Sequence, residues 1–210
     1  MKRKHLQLFY VIVAILDIVG LTYYEDMRFI TKPALMIILM AYYFLYAVNF
    51  KILFLLALLF ALMGDIFLLG EGFTYFLCGL GSFFIMQILY SFVFYSSKAK
   101  IVIQDILGSV FLLVYGAILI TLLWPNLSSS LKLPVSLYSV AIIFMAYFAM
   151  IRKKSNATYV PVLLGSLLFI ASDSLLALNE FTDFINHAGL GVMATYIAAQ
   201  FLIVTGITEE

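Results

Sequence analysis

Cysteine and histidine are almost absent from this chain. Cys78 is the one cysteine, and His5 and His187 are the two histidines among 210 residues. A single cysteine closes no internal disulfide and supplies no Cys-x-x-Cys metal site. A catalytic zinc draws about three protein ligands, often histidines, and no such set exists, so no metal or cofactor is expected. No P-loop, Rossmann glycine pattern or Gly-x-Ser-x-Gly elbow occurs. Charge is scarce too: Asp, Glu, Lys and Arg make up 11% of the residues, against about a quarter in a soluble domain. That scarcity excludes a soluble globular protein, a disordered chain and a nucleic-acid binder.

What fills the chain is apolar: 65% of residues are hydrophobic and the mean hydropathy is +1.13. The expected fold is all-α, a polytopic membrane protein. A spanning helix takes about 20 apolar residues. Eight such segments are read, at 6–23, 29–48, 52–70, 73–95, 103–123, 133–151, 158–178 and 187–207. They use most of the chain, so residues 1–210 are expected to form a single integral membrane domain with short loops. The N-terminal Lys2-Arg3-Lys4-His5 run is followed by no small-x-small cleavage site, and Asp17 interrupts the apolar stretch. It reads as an uncleaved first helix rather than a signal peptide.

Charge asymmetry orients the spans. With the N-terminus in the cytoplasm, the inner segments hold Lys2, Arg3, Lys4, Lys51, Lys98, Lys100, Arg152, Lys153 and Lys154. The outer side holds only Arg28, Lys32 and Lys132, together with Glu25, Asp26, Glu71, Glu180 and Asp183. The positive-inside rule then places both termini in the cytoplasm, and the short lysine-rich loops fit a bacterial inner membrane. Trp124-Pro125-Asn126 and the serines 128–130 read as an interfacial tryptophan and an outer turn. The many tyrosines and phenylalanines are expected to face lipid or the interface.

Two stretches resemble each other. Leu58-Leu59-Phe60 leads to Gly64-Asp65, and Leu167-Leu168-Phe169 leads to Ser172-Asp173. Gly79-Leu80-Gly81 and Gly189-Leu190-Gly191 then open the following helices. Spans 3–4 thus echo spans 7–8, which suggests a parallel 4+4 internal repeat about the membrane normal and pairs Asp65 with Asp173.

Ionisable groups inside a bilayer are expensive and usually face a protein interior or a wet cavity. Here they are Asp17, Lys32, Asp65 and Asp173. Span direction puts all of them toward the outer leaflet, at similar depth. A purely structural reading pairs Lys32 with one aspartate and lets the others reach the interface; for Asp17 it is as good as a functional one. Asp65 and Asp173 each follow a small residue, Gly64 or Ser172, which allows close approach of a helix or a substrate. Gln87 and Tyr90 share one face of span 4, and Tyr196 and Gln200 share one face of span 8. They could line a pocket or simply bond helix to helix. Asn179, just past span 7, could be a helix stop.

A carboxyl in low dielectric can keep its proton near neutral pH and serve as a general acid. A second, ionised carboxylate can stabilise positive charge or activate water. That pair suits chemistry through an oxocarbenium-like state, and acid-catalysed hydrolysis of a lipid is the expected class. The residues alone do not select the bond.

The ordered set Lys32-Pro33, Leu59-Phe60 to Gly64-Asp65, Gly79-Leu80-Gly81-Ser82-Phe83 to Tyr90, Leu168-Phe169 to Ser172-Asp173, and Tyr196 to Gln200-Phe201-Leu202-Ile203-Val204 resembles the YhhN, or lysoplasmalogenase, family. The similarity runs from about residue 30 to the end of the chain. The resemblance implies a membrane hydrolase that cleaves the vinyl ether of a lysophospholipid, releasing a fatty aldehyde and glycerophosphocholine or glycerophosphoethanolamine. It carries over to Lys32, Asp65, Asp173, Tyr196 and Gln200. One departure stands out: the family commonly has a histidine where this chain has Gln87, and glutamine cannot shuttle a proton. Joined to the residue chemistry, the resemblance implies that Asp65 by preference protonates the vinyl ether and Asp173 stabilises the oxocarbenium ion, with the roles open to exchange. Lys32 would hold phosphate or tune the aspartates, and Gln87, Tyr90, Tyr196 and Gln200 would position substrate. The expected partners are this lysophospholipid and the surrounding membrane lipids, with no nucleic acid.

Rival readings are a small proton-coupled transporter, a lipid-binding protein with altered catalysis, and an intramembrane aspartyl protease. The charges lie toward one side rather than at the midplane, and Pro33 and Pro161 fall near span starts, which weighs against the transporter. The protease signature needs glycine where Leu62 stands.

Overall fold

The computed structural model describes residues 3–97, 102–152, 156–182 and 188–210. Lys2, Lys98, Lys100, Lys153, Lys154 and Asp183 of the charge pattern, and His187, lie outside the described residues. Among the described residues the chain forms eight α-helices: α1 (Arg3–Tyr23), α2 (Arg28–Tyr46), α3 (Ile52–Phe67), α4 (Phe73–Tyr95), α5 (Ile103–Leu123), α6 (Ser129–Ile151), α7 (Asn156–Phe181) and α8 (Gly189–Thr208). A short 3-10 turn, Glu25–Met27, joins α1 to α2. Seven of these helices are long and apolar enough to cross a membrane. Their outward faces carry large exposed apolar side chains, such as Phe9 and Ile15 on α1 and Leu107 and Phe111 on α5. The chain is an integral, multi-pass membrane protein.

Helix limits depart from the sequence reading by up to four residues, and three of these departures bear on the site. α3 ends at Phe67, three residues early, and its 16 residues give a length of roughly 24 Å against about 30 Å of bilayer core. The turn that follows leads to Gly72, the N-cap of α4, whose φ of 95° suits glycine. α6 begins at Ser129 rather than 133. The serines there look like loop, yet Leu131 and Val135, one turn apart, pack with Leu123 and Leu127 in a small apolar cluster. α7 runs on to Phe181 for the same reason, since Ala177, Leu178 and Phe181 cover that cluster. Asn179 is therefore inside the last turn of α7 rather than beyond it. Pro33, Pro134 and Pro161 each fall five residues after their helix's first residue, in the second turn. The carbonyls of Phe29, Ser130 and Ala157 thereby lose their usual intrahelical donor.

Packing follows chain order around a ring: α1 on α2, α2 on α3, α3 on α4, α4 on α6, α6 on α7, α7 on α8, and α8 back on α1 and α2. α5 stands outside the ring against α6 and α7 and buries only Asp105, Leu112, Gly116 and Leu123. Among the described residues, α4 makes no close backbone approach to α7 or α8, nor α3 to α8. Side chains alone bridge that gap, and this is where the polar residues meet.

The expectation that tyrosines face lipid fails on the inside of the ring. Tyr10, Tyr42, Tyr43, Tyr90 and Tyr196 are buried, and each finds a polar partner: Tyr10, for example, donates to the Ile197 carbonyl at 2.9 Å. Buried phenol groups need such partners.

One end of the bundle is tied by charge. Arg3 donates to Glu209 at 2.6 Å, Lys51 pairs with Glu210 at 3.1 Å, and buried Arg152 also bonds Glu210. The backbone N–H of Val48 donates to the Thr208 carbonyl at 3.0 Å. The two ends of the described chain therefore meet at the same end of the bundle.

α7 and α8 approach most closely at glycines. A Cβ on Gly165 would lie 2.8 Å from the Ala199 carbonyl oxygen and 3.0 Å from the Ile203 nitrogen. Backbone cannot yield as a side-chain tip does. Gly165→Ala is expected to destabilise the protein by about 1–3 kcal/mol, read as a lower thermal midpoint in detergent; an unchanged midpoint contradicts this packing.

Candidate active site

Three of the four intramembrane charges line one cavity of about 540 Å³: Lys32 on α2, Asp65 on α3 and Asp173 on α7. Tyr196 and Ser172 also line it, and it extends to Gly70, Gly72, Asn179 and Glu180 at the end of the bundle opposite Glu210. Helix direction explains the convergence. α3 and α7 run the same way, and each carries its aspartate in its last third, while α2 runs oppositely and carries Lys32 near its start.

The two aspartates have different company. Asp65 is buried. Its Oδ1 lies 3.7 Å from Lys32 Nζ, and its Oδ2 accepts the Tyr196 hydroxyl at 2.7 Å. Lys32 is itself buried, so the pair neutralises two charges that would each be costly alone. Phe83 and Phe169 meet the Tyr196 ring edge-to-face, with centroids 5.8 Å and 5.7 Å away, and fix its direction. Gly64 makes room for this: a Cβ there would sit 2.7 Å from the Phe83 ring.

Asp173 keeps part of its surface open. Its Oδ2 accepts the Tyr138 hydroxyl at 2.5 Å and the Gln87 amide at 3.2 Å. Among the described residues Oδ1 has no hydrogen-bond partner and no cation pairs with this carboxyl. Ser172 beside it donates to the Val192 carbonyl at 3.0 Å, which seats α7 against α8.

The remaining sequence candidates are spread around this centre. Tyr90 donates to Gln200 Oε1 at 2.8 Å, deeper in the bundle, and neither residue lines the cavity. They hold α4 to α8 across the gap. Asn179 lines the cavity and accepts the Ala188 N–H at 3.2 Å, fastening the start of α8. Asp17 lies behind the cavity wall, fully buried. Its Oδ1 accepts Thr31 at 2.7 Å and faces Arg28 Nε at 3.8 Å.

Two site residues escaped the sequence reading. Tyr138 has only Ser136 and Ser139 as polar neighbours in an apolar span, and its place on the α6 face that carries Val135, Ser139 and Ile142 is the signal that could have found it. Arg28, read as a loop charge, opens α2 and lines the cavity. It stands one helical turn before Lys32, a spacing that puts both on one face.

Residues 27–207 match the model of the YhhN family. The chain belongs to the YhhN family. Among curated relatives, this YhhN protein is 28% identical over 158 residues to "Lysoplasmalogenase TMEM86A" of Bos taurus, covering 73% of this chain and 64% of the relative. The Homo sapiens protein of that name matches with the same identity and coverage. "Lysoplasmalogenase TMEM86B" of Sus scrofa is 37% identical over 89 residues, 42% of this chain and 36% of the relative. The YhhN chain thus spans about 64% of the length of the first two relatives. No solved structure matches it.

Proposed function

We propose that this YhhN protein is a membrane hydrolase that cleaves the vinyl-ether bond of lysoplasmalogens to a fatty aldehyde and a glycerophospho base. The observation that carries this reading is one cavity lined by two aspartates in unlike surroundings, one paired with a buried lysine and one facing only neutral donors. The names of the relatives supply the bond.

The surroundings favour Asp173 as the acid, in exchange for the preference for Asp65. Both donors to Asp173 aim at Oδ2, which leaves Oδ1 to carry a proton beside the cavity. Asp65, matched to Lys32, is the carboxylate. Asp173 protonates the second carbon of the alkenyl chain, and positive charge develops on the first carbon and its ether oxygen. Asp65 stabilises that charge and takes a proton from the water that attacks the first carbon. The hemiacetal then loses the glycerol oxygen as an alcohol and becomes an aldehyde. The proton held by Asp65 returns through solvent in the cavity to Asp173, so one water is consumed overall.

The other residues take supporting roles. Arg28 and Lys32 bring two cations to one wall, suited to a phosphate. Arg28 Nε is buried toward Asp17 at 3.8 Å, so the rest of its guanidinium, on the cavity wall, is what a phosphate would meet. Gln87 at the position of the family's histidine orients Asp173 and carries no proton.

α3 serves as a short eighth span. The α2–α3 connection contacts Thr208 and Glu210 at one end of the bundle, while the α3–α4 turn lines the cavity mouth at the other. The positive-inside rule puts Arg3, Lys51 and Arg152 in the cytoplasm, so the cavity opens outward. A parallel repeat gains support from a reciprocal exchange. Asp65 of the α3–α4 hairpin accepts from Tyr196 on α8, and Asp173 of the α7–α8 hairpin accepts from Gln87 on α4. Against strict equivalence, Gly189 opens α8 whereas Gly79 lies well inside α4.

The test is aldehyde release by purified protein from a lysoplasmalogen and from its saturated alkyl-ether counterpart. Acid cleavage through an oxocarbenium ion requires the double bond, so only the vinyl ether is expected to react. Equal cleavage of both lipids, or of neither, overturns the proposal.

A further inference from the structure

Beside the polar cavity runs a second, narrow void of about 60 Å³, walled chiefly by α4, α5, α6 and α7. Leu80, Gly116, Leu119, Val135, Ile142 and Ile170 contribute to its apolar lining. The two spaces share a wall that includes Leu68, Phe76, Phe83, Asp173, Leu176 and Glu180. Inside the slot the hydroxyls are already engaged: Tyr115 donates to Ser174 at 2.8 Å, Ser139 to the Val135 carbonyl at 2.8 Å, and Tyr138 to Asp173. Asp173 Oδ1 thus has no hydrogen-bond partner among the described residues, and Glu180, exposed at the end of α7, is the other carboxyl on the shared wall.

Shape narrows the occupant. The volume holds about four to six water-sized groups, which suits a single file of methylenes and excludes a headgroup. The cluster of Leu123, Leu127, Leu131 and Val135 closes one end. α5, which covers the slot, packs only on α6 and α7, so one helix separates the slot from the surrounding hydrocarbon. We propose that this slot receives the first methylenes of a lysophospholipid's hydrocarbon chain beyond Asp173, directing the chain beneath α5, while the phosphate end stays in the polar cavity at Arg28 and Lys32. The inference rests on the lipid-hydrolase reading for its substrate class and adds the direction in which the lipid lies.

Membrane lipid is as apolar as the slot, so steric fit decides occupancy. Gly116 is the place to test it. A Cβ there would come within 3.3 Å of Ile143 Cγ1 and 3.4 Å of its Cδ1, side-chain atoms that also line the slot, so added bulk enters the slot rather than a backbone contact.

The probes are two saturated alkyl-ether lysophospholipids of one headgroup, with four-carbon and sixteen-carbon chains, neither of which the proposed chemistry cleaves. Binding is measured to the whole protein in nanodiscs. Gly116→Leu is expected to weaken the long-chain probe at least about tenfold and the short-chain probe by less than about threefold. Adding Ile143→Ala, which reopens the same space, is expected to recover most of the long-chain loss. Unchanged long-chain binding in Gly116→Leu, or loss of both probes without recovery in the double variant, overturns the slot. So does a wild-type protein that does not bind the long probe. Aldehyde release plays no part in this readout: a protein that binds as expected but cleaves nothing would sink the hydrolase reading and leave the slot standing.

Discussion

Asp173→Asn is expected to lower kcat for lysoplasmalogen by about 10²–10⁴-fold, the usual contribution of a general acid, with KM within about threefold. The substitution keeps the size of the side chain and removes its transferable proton. An asparagine oxygen at the Oδ2 position still accepts from Tyr138 and Gln87, and the new NH₂ group takes the place of Oδ1 beside the cavity. The protein should therefore fold and bind substrate normally while failing to cleave it. Turnover by Asp173→Asn within tenfold of wild type would remove Asp173 from the chemistry.

Removing the other carboxylate should damage both stability and turnover. Asp65→Asn leaves Lys32 buried without its counter-charge, and breaking a buried ion pair from one side costs about 3–5 kcal/mol. Replacing both partners with uncharged groups of similar volume is often neutral. Asp65→Asn combined with Lys32→Met is therefore expected to recover the thermal midpoint lost in the single variant. It should not recover turnover, because the carboxylate facing the developing positive charge is still missing. Recovery of both would make the Lys32–Asp65 pair a structural element only. A single variant as stable as wild type would contradict the buried pairing at 3.7 Å.

What the sequence could carry is set by what one helix knows about itself. Apolar runs of membrane length marked the helices, and span direction with position along each span brought Lys32, Asp65 and Asp173 to one depth, where they line one cavity. Rotation about each helix axis is not written in runs so uniformly apolar. Nothing in the chain says that Tyr196 turns to Asp65, that Tyr138 turns to Asp173, or that Tyr90 and Gln200 point at each other below the cavity. Tyr138 was hidden among tyrosines that the apolar surroundings assigned to lipid. Arg28 was hidden by its place next to an acidic turn, although its spacing from Lys32 was visible. Helix ends were obscured where polar residues continue a helix, as at Ser129 in α6 and Asn179 in α7. The close seat of α7 on α8 depends on Gly165 and Gly206, which composition alone does not distinguish from other glycines in a span.

The central claim is that a proton goes to carbon before water attacks. The most direct measurement is turnover of lysoplasmalogen in deuterated water, with the aldehyde trapped at once by reduction. The account predicts an alcohol with one deuterium on the carbon next to the former carbonyl, formed by wild type and not by Asp173→Asn. Released aldehyde without that deuterium, or no aldehyde from folded protein that binds the lipid, would contradict it.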